Sequence, residues 1–313
     1  MGKNALNAAV SERLSDEALS EKLGRYQRQV RIWLRVGLLG IASGLIAAFA
    51  MRNSALKAAI VEVLFGGGLC CVLFLSGGAQ KKLKSLMQEQ LGDFFRAELE
   101  KAFGPQLHTP EMQIDQTLLE ALHLLDSRWE ECETESFREG RYHGLHFAAA
   151  NVRLNHVYER GHGEYGLGIS SDMVFKGLVL RCETSVPAPS VIRANARTEE
   201  STCGVVTGNA AFDRRFCVTA EQEQDALAFL SPQFTEWLGA FEQSVVGTLS
   251  CFCWEECVFT LALETDYGFA NVASNVDMRD LDAVRCSYCN SLREMGGALD
   301  LLLKNESLFT QKE

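Results

Sequence analysis

Residues 36–51 read VGLLGIASGLIAAFAM and residues 63–80 read VLFGGGLCCVLFLSGGAQ, two runs without a charged side chain. A helix needs about 20 apolar residues to cross the ~30 Å hydrocarbon core of a bilayer. The first run reaches that length when residues 32–34 join it and Arg35 extends its charged end toward the membrane surface. The second lengthens to Ala58 when one acidic residue lies at the interface. The sequence therefore predicts two transmembrane helices with a tight connection between them.

Two other interpretations of these runs fit less well. A cleaved signal peptide stands alone near the amino terminus, whereas the first run follows about 30 mostly polar residues and a second run comes directly after it. Helices in the core of a soluble protein are equally apolar, and each run is only just long enough to span a bilayer. We therefore expect a transmembrane pair and keep buried core helices as the alternative.

Five glycines within the runs are candidates for contact between the predicted helices: Gly40, Gly44, Gly66, Gly67 and Gly68. Small residues let helix backbones approach closely in lipid, where packing holds helices together. Glycine is also common in membrane helices that use it for no contact. The pattern predicts membrane-helix packing at these positions and leaves the simpler interpretation open.

Charges are divided unevenly along the chain. Residues 1–80 carry nine Lys and Arg and five Asp and Glu, whereas residues 81–313 carry 21 and 36, and the net charge is −11. Between the runs there are only two basic residues. Seven flank their outer ends: Arg25, Arg28, Arg31, Arg35, Lys81, Lys82 and Lys84. Because Lys and Arg concentrate on the cytoplasmic side, we expect a multi-pass protein of the cell membrane with both termini and the acidic domain in the cytoplasm.

The order of the patterns predicts five segments. Beyond a candidate kink at Gly77-Gly78, apolar residues recur at helical spacing as far as Gly104, which is typical of an amphipathic stalk. Later strands and helices come in blocks, which is typical of an α+β domain with an antiparallel sheet. The predicted segments are an amphipathic helix at 1–30, two transmembrane helices within 31–80 (about 32–51 and 58–79), a helical stalk at 81–104, a connector at 105–136 and a cytoplasmic α+β domain at 137–313.

Within the later part of the chain, hydrophobic periodicity predicts the individual elements. Pro232 interrupts a helical pattern over 220–243, so we expect two helices or a kink there. One helix is expected in the connector, at 115–131. The predicted strands are 141–157, 174–184, 191–196, 205–207 and 215–219, followed by a hairpin of 245–254 with 257–263 and a closing helix at 277–303.

Several short pieces occur in the order found in a known family: GRYHGLHF at 140–147, VFKGL at 174–178, FDRRFCV at 212–218 and LSPQF at 230–234. In this order and spacing the chain resembles a bacterial membrane family catalogued only as a domain of unknown function (number three-one-three-seven). The resemblance spans most of residues 30–303. It implies two membrane helices, a stalk and an α+β cytoplasmic domain, and it implies no activity. This chain looks richer in cysteine than such proteins.

The 11 cysteines allow a chemical role. In a reducing cytoplasm most are expected to be buried thiols that pack as small apolar side chains. Cys286 and Cys289 lie three residues apart and share one face of a helix. Cys251 and Cys253 alternate on one strand face and would complete four sulfur ligands, although C-x-C within a strand chelates zinc poorly. A metal site or redox pair at these cysteines is the alternative to buried thiols.

Motifs for nucleotide binding or catalysis are weak or missing from the sequence. GHGEYG at residues 161–166 fits the G-x-G-x-x-G pattern, but we expect a strand after it and not the helix that binds pyrophosphate. His143 and His146 fall on opposite faces of the predicted strand, so they cannot share a metal ion. No G-x-S-x-G elbow, phosphate-binding loop or kinase signature occurs. We therefore expect no catalytic residues and no cofactor.

A well-patterned domain on a membrane anchor, without a catalytic constellation, is typical of an interaction or regulatory module. The expected partners are the lipid bilayer and a protein of unknown identity, and association with a second copy of the chain stays open. The acidic domain argues against nucleic acid, which is bound by clustered Lys and Arg. The alternative function is a thiol redox- or metal-responsive membrane protein that uses Cys286 and Cys289.

Overall fold

The computed structural model describes residues 14–50, 55–109, 112–122, 128–161, 167–198 and 204–309. The predicted α+β class is confirmed: an apolar helical region precedes one antiparallel sheet. The helices are α1 (Asp16–Ala50), α2 (Ala55–Cys70), a π-helix (Cys71–Ser76), α3 (Gly77–Phe103), α4 (Gln116–Leu122), α5 (Ala210–Arg215), α6 (Glu223–Phe229), α7 (Pro232–Ser244) and α8 (Leu281–Leu303). The strands are β1 (Glu131–Tyr142), β2 (Leu145–Gly161), β3 (Leu167–Glu183), β4 (Ile192–Ala196), β5 (Phe216–Ala220), β6 (Thr248–Glu255) and β7 (Val258–Glu264).

The chain divides into two compact units. The first comprises Met1–Arg96 together with Ser274–Cys286, and the second comprises Ala97–Ala273 together with Ser287–Glu313. The sequence predicted a different division, in which everything after residue 136 belonged to one domain. The difference arises because a segment late in the sequence packs on the first helix.

Long-range contacts of α1 hold that late segment in the first unit. Gln27 Nε2 donates to the Val276 carbonyl oxygen at 2.6 Å, and Gln27 Oε1 accepts from the Met278 backbone N–H at 3.2 Å. The side chain of Arg279 lies directly against Gly24, where any Cβ atom would overlap it. Such contacts join residues far apart in the sequence, so hydrophobic periodicity does not indicate them.

In the first unit, α1 is one continuous helix of 35 residues. The part of the predicted amphipathic helix from Asp16 onward and the first predicted transmembrane helix are therefore parts of one element, because the sequence has no proline or turn signal near residue 30. Residues 1–13 of that prediction lie outside the described residues. Two helical stretches, Asp16–Phe49 and Ala59–Phe103, are long and apolar enough to cross a membrane by length and composition. The predicted tight connection at residues 52–54 lies outside the described residues.

A π-helix interrupts the second apolar run before the predicted kink at Gly77-Gly78. The Ser76 hydroxyl donates to the Val72 carbonyl oxygen within this segment, and such side-chain bonds compete with the regular helix ladder. The helix then continues regularly as α3. It ends where the sequence predicted, since Gly104 adopts a φ of 70°, the left-handed conformation that terminates helices.

The second unit contains the sheet, whose strands pair antiparallel in the order β1-β2-β3-β7-β6-β4-β5. The single strand predicted over 141–157 is wrong. The chain turns at His143 and Gly144, whose φ angles of 47° and 82° match a two-residue hairpin turn. Apolar residues lie on both sides of the turn, Tyr142 before it and Leu145 after it, so the prediction ran one strand through it.

Both faces of the sheet are covered within the second unit. One face is aromatic: the Phe234 ring of α7 lies 5.9 Å from Phe252, and the Phe103 ring lies 5.3 Å from Phe147, between ring centroids. The other face is built of small side chains and packs against the connector and α4. Its buried cluster includes Met112, Ile114, Leu119, Leu122, Ala148, Ala150, Cys251, Cys253 and Ala262.

β1 begins at Glu131, inside the predicted connector. It is an edge strand, and its exposed positions include Glu131, Glu133 and Glu135. Charges protect an edge from pairing with another chain, and they also remove the apolar alternation by which a strand is recognised. Of the helix predicted over 115–131, the described residues contain α4 and then the start of β1.

Two further strand predictions differ from the structure. β3 begins at Leu167, seven residues before the predicted start at 174, because its first part pairs with β2 alone and Ser171 and Asp172 are exposed there. The strand predicted at 205–207 is reduced to one bridge between Val205 and Val218. A single bridge carries too few residues to produce a periodic pattern.

Candidate functional site

A cavity of about 320 Å³ opens in the second unit where β1 turns into β2. Small-molecule sites typically occupy about 300–1,000 Å³ and contain a few converging polar groups. The side chains around this cavity include several that donate, accept or carry protons: Arg141, His143, His146, Glu183 and Ser185. This combination of enclosure and titratable side chains makes the cavity the candidate functional site.

The register of the hairpin places three polar side chains in one row across the sheet. Arg141 on β1 pairs directly with His146 on β2. One position further, Phe147 pairs with Cys182 on β3, so Glu183 is the neighbour of His146 in that strand. Directly opposed residues have Cβ atoms about 4.5–5.5 Å apart. The row therefore brings a guanidinium, an imidazole and a carboxylate together at one end of the sheet.

A buried carboxylate lies behind His146. The Glu139 side chain is 0% exposed, and its Oε1 lies 2.8 Å from His146 Nε2. Thr109 donates its backbone N–H to Oε2 at 2.8 Å and its hydroxyl to Oε1 at 2.5 Å. Because an ionised carboxylate only accepts, Nε2 carries the proton in this contact. The other ring nitrogen, Nδ1, lies 3.4 Å from Glu183 Oε2 at the cavity wall.

The Glu139 network keeps a charge inside the protein. Burial of the carboxyl group raises its pKa, but the hydrogen bonds from the Thr109 hydroxyl, the Thr109 N–H and His146 outweigh burial and lower the pKa below its ordinary 4.5. Glu139 is therefore ionised at neutral pH. A buried charge is stable only when donors surround it, so His146 and Thr109 are held in place by the carboxylate.

We expect Glu139 to make the fold less stable in acid. A carboxyl group with a lowered folded pKa stabilises the protein above its unfolded pKa of about 4.5, and that stability is lost as the pH falls through the folded pKa. Glu139→Gln lacks this contribution at every pH. The difference in free energy of unfolding between wild type and variant should therefore shrink from about pH 6 to about pH 3. Chemical denaturation of the full chain in detergent micelles checks this, and a difference independent of pH contradicts it.

Sequence reasoning missed the role of His146 because it placed both histidines of the GRYHGLHF segment on one strand. The turn at His143-Gly144 instead pairs His146 with Arg141 and puts it diagonally opposite Glu139. A usable signal was present, since glycine readily adopts the positive φ that a two-residue hairpin turn requires. The burial of Glu139 has no such local signal.

The structure places the four candidate cysteines in different settings. Cys251 and Cys253 belong to the buried cluster on the small-residue face, as their alternation predicted, and burial raises the pKa of Cys253 to about 11. Cys286 is exposed on α8, and Cys289 Sγ lies 3.8 Å from Glu98 Oε2. Among the described residues, no group of three or more His, Cys, Asp or Glu side chains is arranged to hold a metal ion.

Three of the five predicted packing glycines lie where α1 meets α2. A Cβ atom added at Gly68 would lie 2.7 Å from the Gly37 carbonyl oxygen, and one at Gly40 would lie 3.1 Å from Gly68 Cα. One at Gly44 would lie 3.1 Å from a backbone nitrogen of α2. Gly37 joins this contact, although the prediction did not include it. The remaining two predicted positions face open space: Gly66 and Gly67.

Helix geometry explains which glycines take part. Successive residues of an α-helix point about 100° apart, so only one of three adjacent glycines in α2 can face α1. On α1, Gly37, Gly40 and Gly44 are spaced by three and four residues and therefore share one face. This spacing in the sequence could have identified Gly37 as a further packing glycine.

Other motifs from the sequence do not form sites in the described structure. The glycine-rich pattern at 161–166 lies mostly outside the described residues; β2 ends at Gly161 and β3 begins at Leu167, so a strand follows it. A second hollow, in the first unit, is open and lined by ion pairs such as Arg279 with Asp277, 2.7 Å apart. Paired surface charges of this kind are usually solvated.

Comparisons with known proteins add little. No family model matches this chain, and no curated protein does. The resemblance to the family of unknown function therefore stays a prediction. Among solved structures, the chain is similar to the crystal structure of the mycobacterial trehalose monomycolate transport factor A, with 8% sequence identity and a TM-score of 0.31. The match covers 67% of this chain and 95% of that chain, and a similarity this low carries no functional argument.

Proposed function

We propose that this chain is a multi-pass membrane protein whose α+β domain is a non-catalytic interaction or regulatory module. The observation that carries the proposal is the apolar outer surface of α1, α2 and the π-helix. Large apolar patches exposed to water are unfavourable, whereas lipid hydrocarbon accepts them. The side chains that are 61–90% exposed on this surface include Leu38, Leu39, Ile46, Phe49, Val63 and Phe74.

This exposure counts against the alternative of two core helices in a soluble protein. Core helices bury their apolar side chains, but only 11% and 12% of the most apolar 18-residue stretches of the two helices are buried here. The glycine contact draws α1 and α2 together and leaves their larger apolar side chains on the outside. A lipid bilayer is the simplest environment that covers such a surface.

The role of the α+β domain rests on its cavity and on the resemblance to the family of unknown function. The cavity offers fixed donors and acceptors for a ligand, and the resemblance implies the same arrangement of anchor, stalk and domain. We propose a small ligand or a protein as the partner and do not expect nucleic acid, because the chain carries a net charge of −11. A second copy of the chain, bound through the anchor, is kept as an alternative partner.

We propose that both termini lie in the cytoplasm. The basic residues at the outer ends of the anchor, among them Arg28, Arg31 and Lys81, are exposed and available to the cytoplasmic membrane surface. Cys217 on β5 is disulfide-bonded. Because disulfides persist mainly in oxidising compartments, this bond counts against a cytoplasmic domain. Labelling of the domain's cysteines therefore tests the orientation.

We expect the full chain to remain in the membrane pellet after alkaline carbonate extraction, because its apolar surface is held by lipid. A variant with Leu39→Lys and Ile46→Lys serves as the control, since charges at mid-span are costly, and it should be released or degraded. Release of the wild-type chain would end the anchor proposal.

Cysteine labelling of cells that express the full chain tests the orientation. Cys257 lies in the exposed β6–β7 turn, so a membrane-impermeant maleimide should label it after lysis and not in intact cells. Cys257→Ser shows which signal belongs to this residue. Labelling of Cys257 in intact cells would place the domain outside the cytoplasm, in agreement with the disulfide at Cys217.

Purification from native membranes through a carboxyl-terminal tag tests the interaction role. A protein that co-purifies in near-equal amount supports it, and robust turnover of a substrate by the purified chain contradicts it. The alternative function, thiol or metal response through Cys286 and Cys289, predicts rapid alkylation of one of them or bound zinc.

A further inference from the structure

The cavity beside the β1–β2 turn contains an arginine that forms no ion pair with any carboxylate of the described residues. Arg141 is exposed at the cavity wall, and its guanidinium forms no hydrogen bond or ion pair with any residue that the structure describes. Its cross-strand partner is a second basic side chain, His146. The His146 ring pairs with Glu139 through Nε2. When the ring also carries a proton on Nδ1, an anion between the two side chains would accept hydrogen bonds from both Nδ1 and the guanidinium.

Glu183 marks the position where such an anion would meet His146. Its Oε2 lies 3.4 Å from Nδ1, at ion-pair distance, yet the side chain is 58% exposed. Within the described part of the chain no hydrogen bond holds this carboxylate. A loosely held carboxylate beside a fixed imidazole nitrogen has the chemistry of an external oxyanion, and it can move aside into solvent.

Glu139 keeps His146 in the orientation that this contact needs. Its bond to Nε2, 2.8 Å long, fixes the ring from the buried side, and Thr109 fixes Glu139 in turn. Nδ1 is thereby turned to the cavity. Glu139 does not line the cavity, so it is a positioning residue that acts through His146.

We propose that this cavity binds a small oxyanion, a carboxylate or a phosphate group, between the Arg141 guanidinium and the Nδ1–H of the doubly protonated His146 ring, with displacement of the Glu183 carboxylate. The inference rests on the proposed function, in which the domain binds a partner or ligand. A guanidinium forms strong paired bonds with either group. The apolar walls, Leu303 and Phe309, also suit the carbon skeleton of a carboxylic acid. Both chemistries are therefore tested.

The experiment uses the full chain in lipid nanodiscs with carbon-13-labelled histidine. The chain has six histidines, and His146→Gln identifies the His146 ring signal. Sodium succinate is titrated in one arm and sodium phosphate in the other, and calorimetry gives the dissociation constant. We expect a saturable shift of the His146 signal. Arg141→Gln should weaken binding at least about tenfold, the loss of one charge-assisted contact.

Two further variants sharpen the result. Glu183→Gln should bind the same probe several-fold more tightly, because the competing carboxylate is removed. Arg153→Gln is the matched control: Arg153 is another exposed arginine of the same hairpin, pairs with Glu133 at 3.3 Å and does not line this cavity. Its affinity should equal that of the wild type. The side chains of Arg141, Glu183 and Arg153 are exposed, so these three variants should fold.

The possible results test the anion site and the membrane anchor independently of each other. A shift with one probe alone assigns that chemistry to the site. No shift with either probe, or equal affinity in wild type and Arg141→Gln, overturns the inference. A chain that resists carbonate extraction but binds neither probe keeps its anchor and loses this site, whereas a chain that binds but is extracted keeps the site and loses the anchor.

Discussion

His146→Leu is expected to lower the free energy of unfolding by about 3 kcal/mol, the cost of leaving a buried charge without one of its partners. The Glu139 carboxylate is 0% exposed and would keep only its two bonds from Thr109. Chemical denaturation of the full chain in detergent micelles at neutral pH measures the loss.

A second histidine–glutamate pair of the same hairpin provides the control. His156 Nδ1 lies 2.9 Å from Glu130 Oε2, almost the same distance, but both side chains are 34% exposed. His156→Leu should therefore cost only a small fraction of the loss at His146, because solvent compensates Glu130. The double variant Glu139→Leu with His146→Leu should recover part of the loss, since no charge is left buried. Equal losses at the two histidines would show that burial of Glu139 is not the cause.

Gly68→Leu is expected to separate α1 from α2. Its Cβ atom alone would lie 2.7 Å from the Gly37 carbonyl oxygen and 2.8 Å from the Ile41 backbone nitrogen. Overpacking typically costs about 1–3 kcal/mol, and backbone atoms cannot rotate away as side chains do. We therefore expect a loss at or above the upper end of that range. Thermal unfolding of the helical hairpin in detergent, together with the amount of chain in the membrane fraction, measures the effect.

The adjacent glycine is the matched control for this substitution. Gly67→Leu adds the same side chain one position earlier, where no described atom beyond the adjoining backbone of its own helix and its two neighbours in the chain lies within 4 Å of the added Cβ. It should leave the melting temperature of the hairpin nearly unchanged and should keep the chain in the membrane. Similar effects of the two variants would mean that Gly68 contributes no specific contact.

Local signals in the sequence predicted many of the elements well. Ser231-Pro232 indicated a break between two helices, and α7 begins at Pro232, with Ser231 Oγ accepting from the Phe234 N–H at 3.4 Å. The predicted pairing of two strands near the carboxyl terminus is present as β6 and β7. These features depend on neighbours within a few residues, so a local pattern contains the physical cause.

Elements that depend on tertiary surroundings were missed or misplaced. β1 was hidden because it is an acidic edge strand, and the turn at His143 was missed because apolar residues lie on both sides of it. Of the candidate site, the sequence supplied His143 and His146 as residues to consider. It did not supply Arg141 or Glu139, because charged residues near a turn are usually solvated.

Composition and periodicity alone were sufficient to indicate two long apolar helices followed by an α+β domain with an antiparallel sheet, since hydrophobic content and spacing are properties of short segments. Tertiary structure decided that Glu139 is buried against His146 and that residues 274–286 pack on α1. The physical reason is the same in both cases. The free energy of a buried hydrogen bond depends on the groups around it, and these come from parts of the chain that are far apart in sequence. The type of a residue does not indicate which of them will become its neighbours on folding.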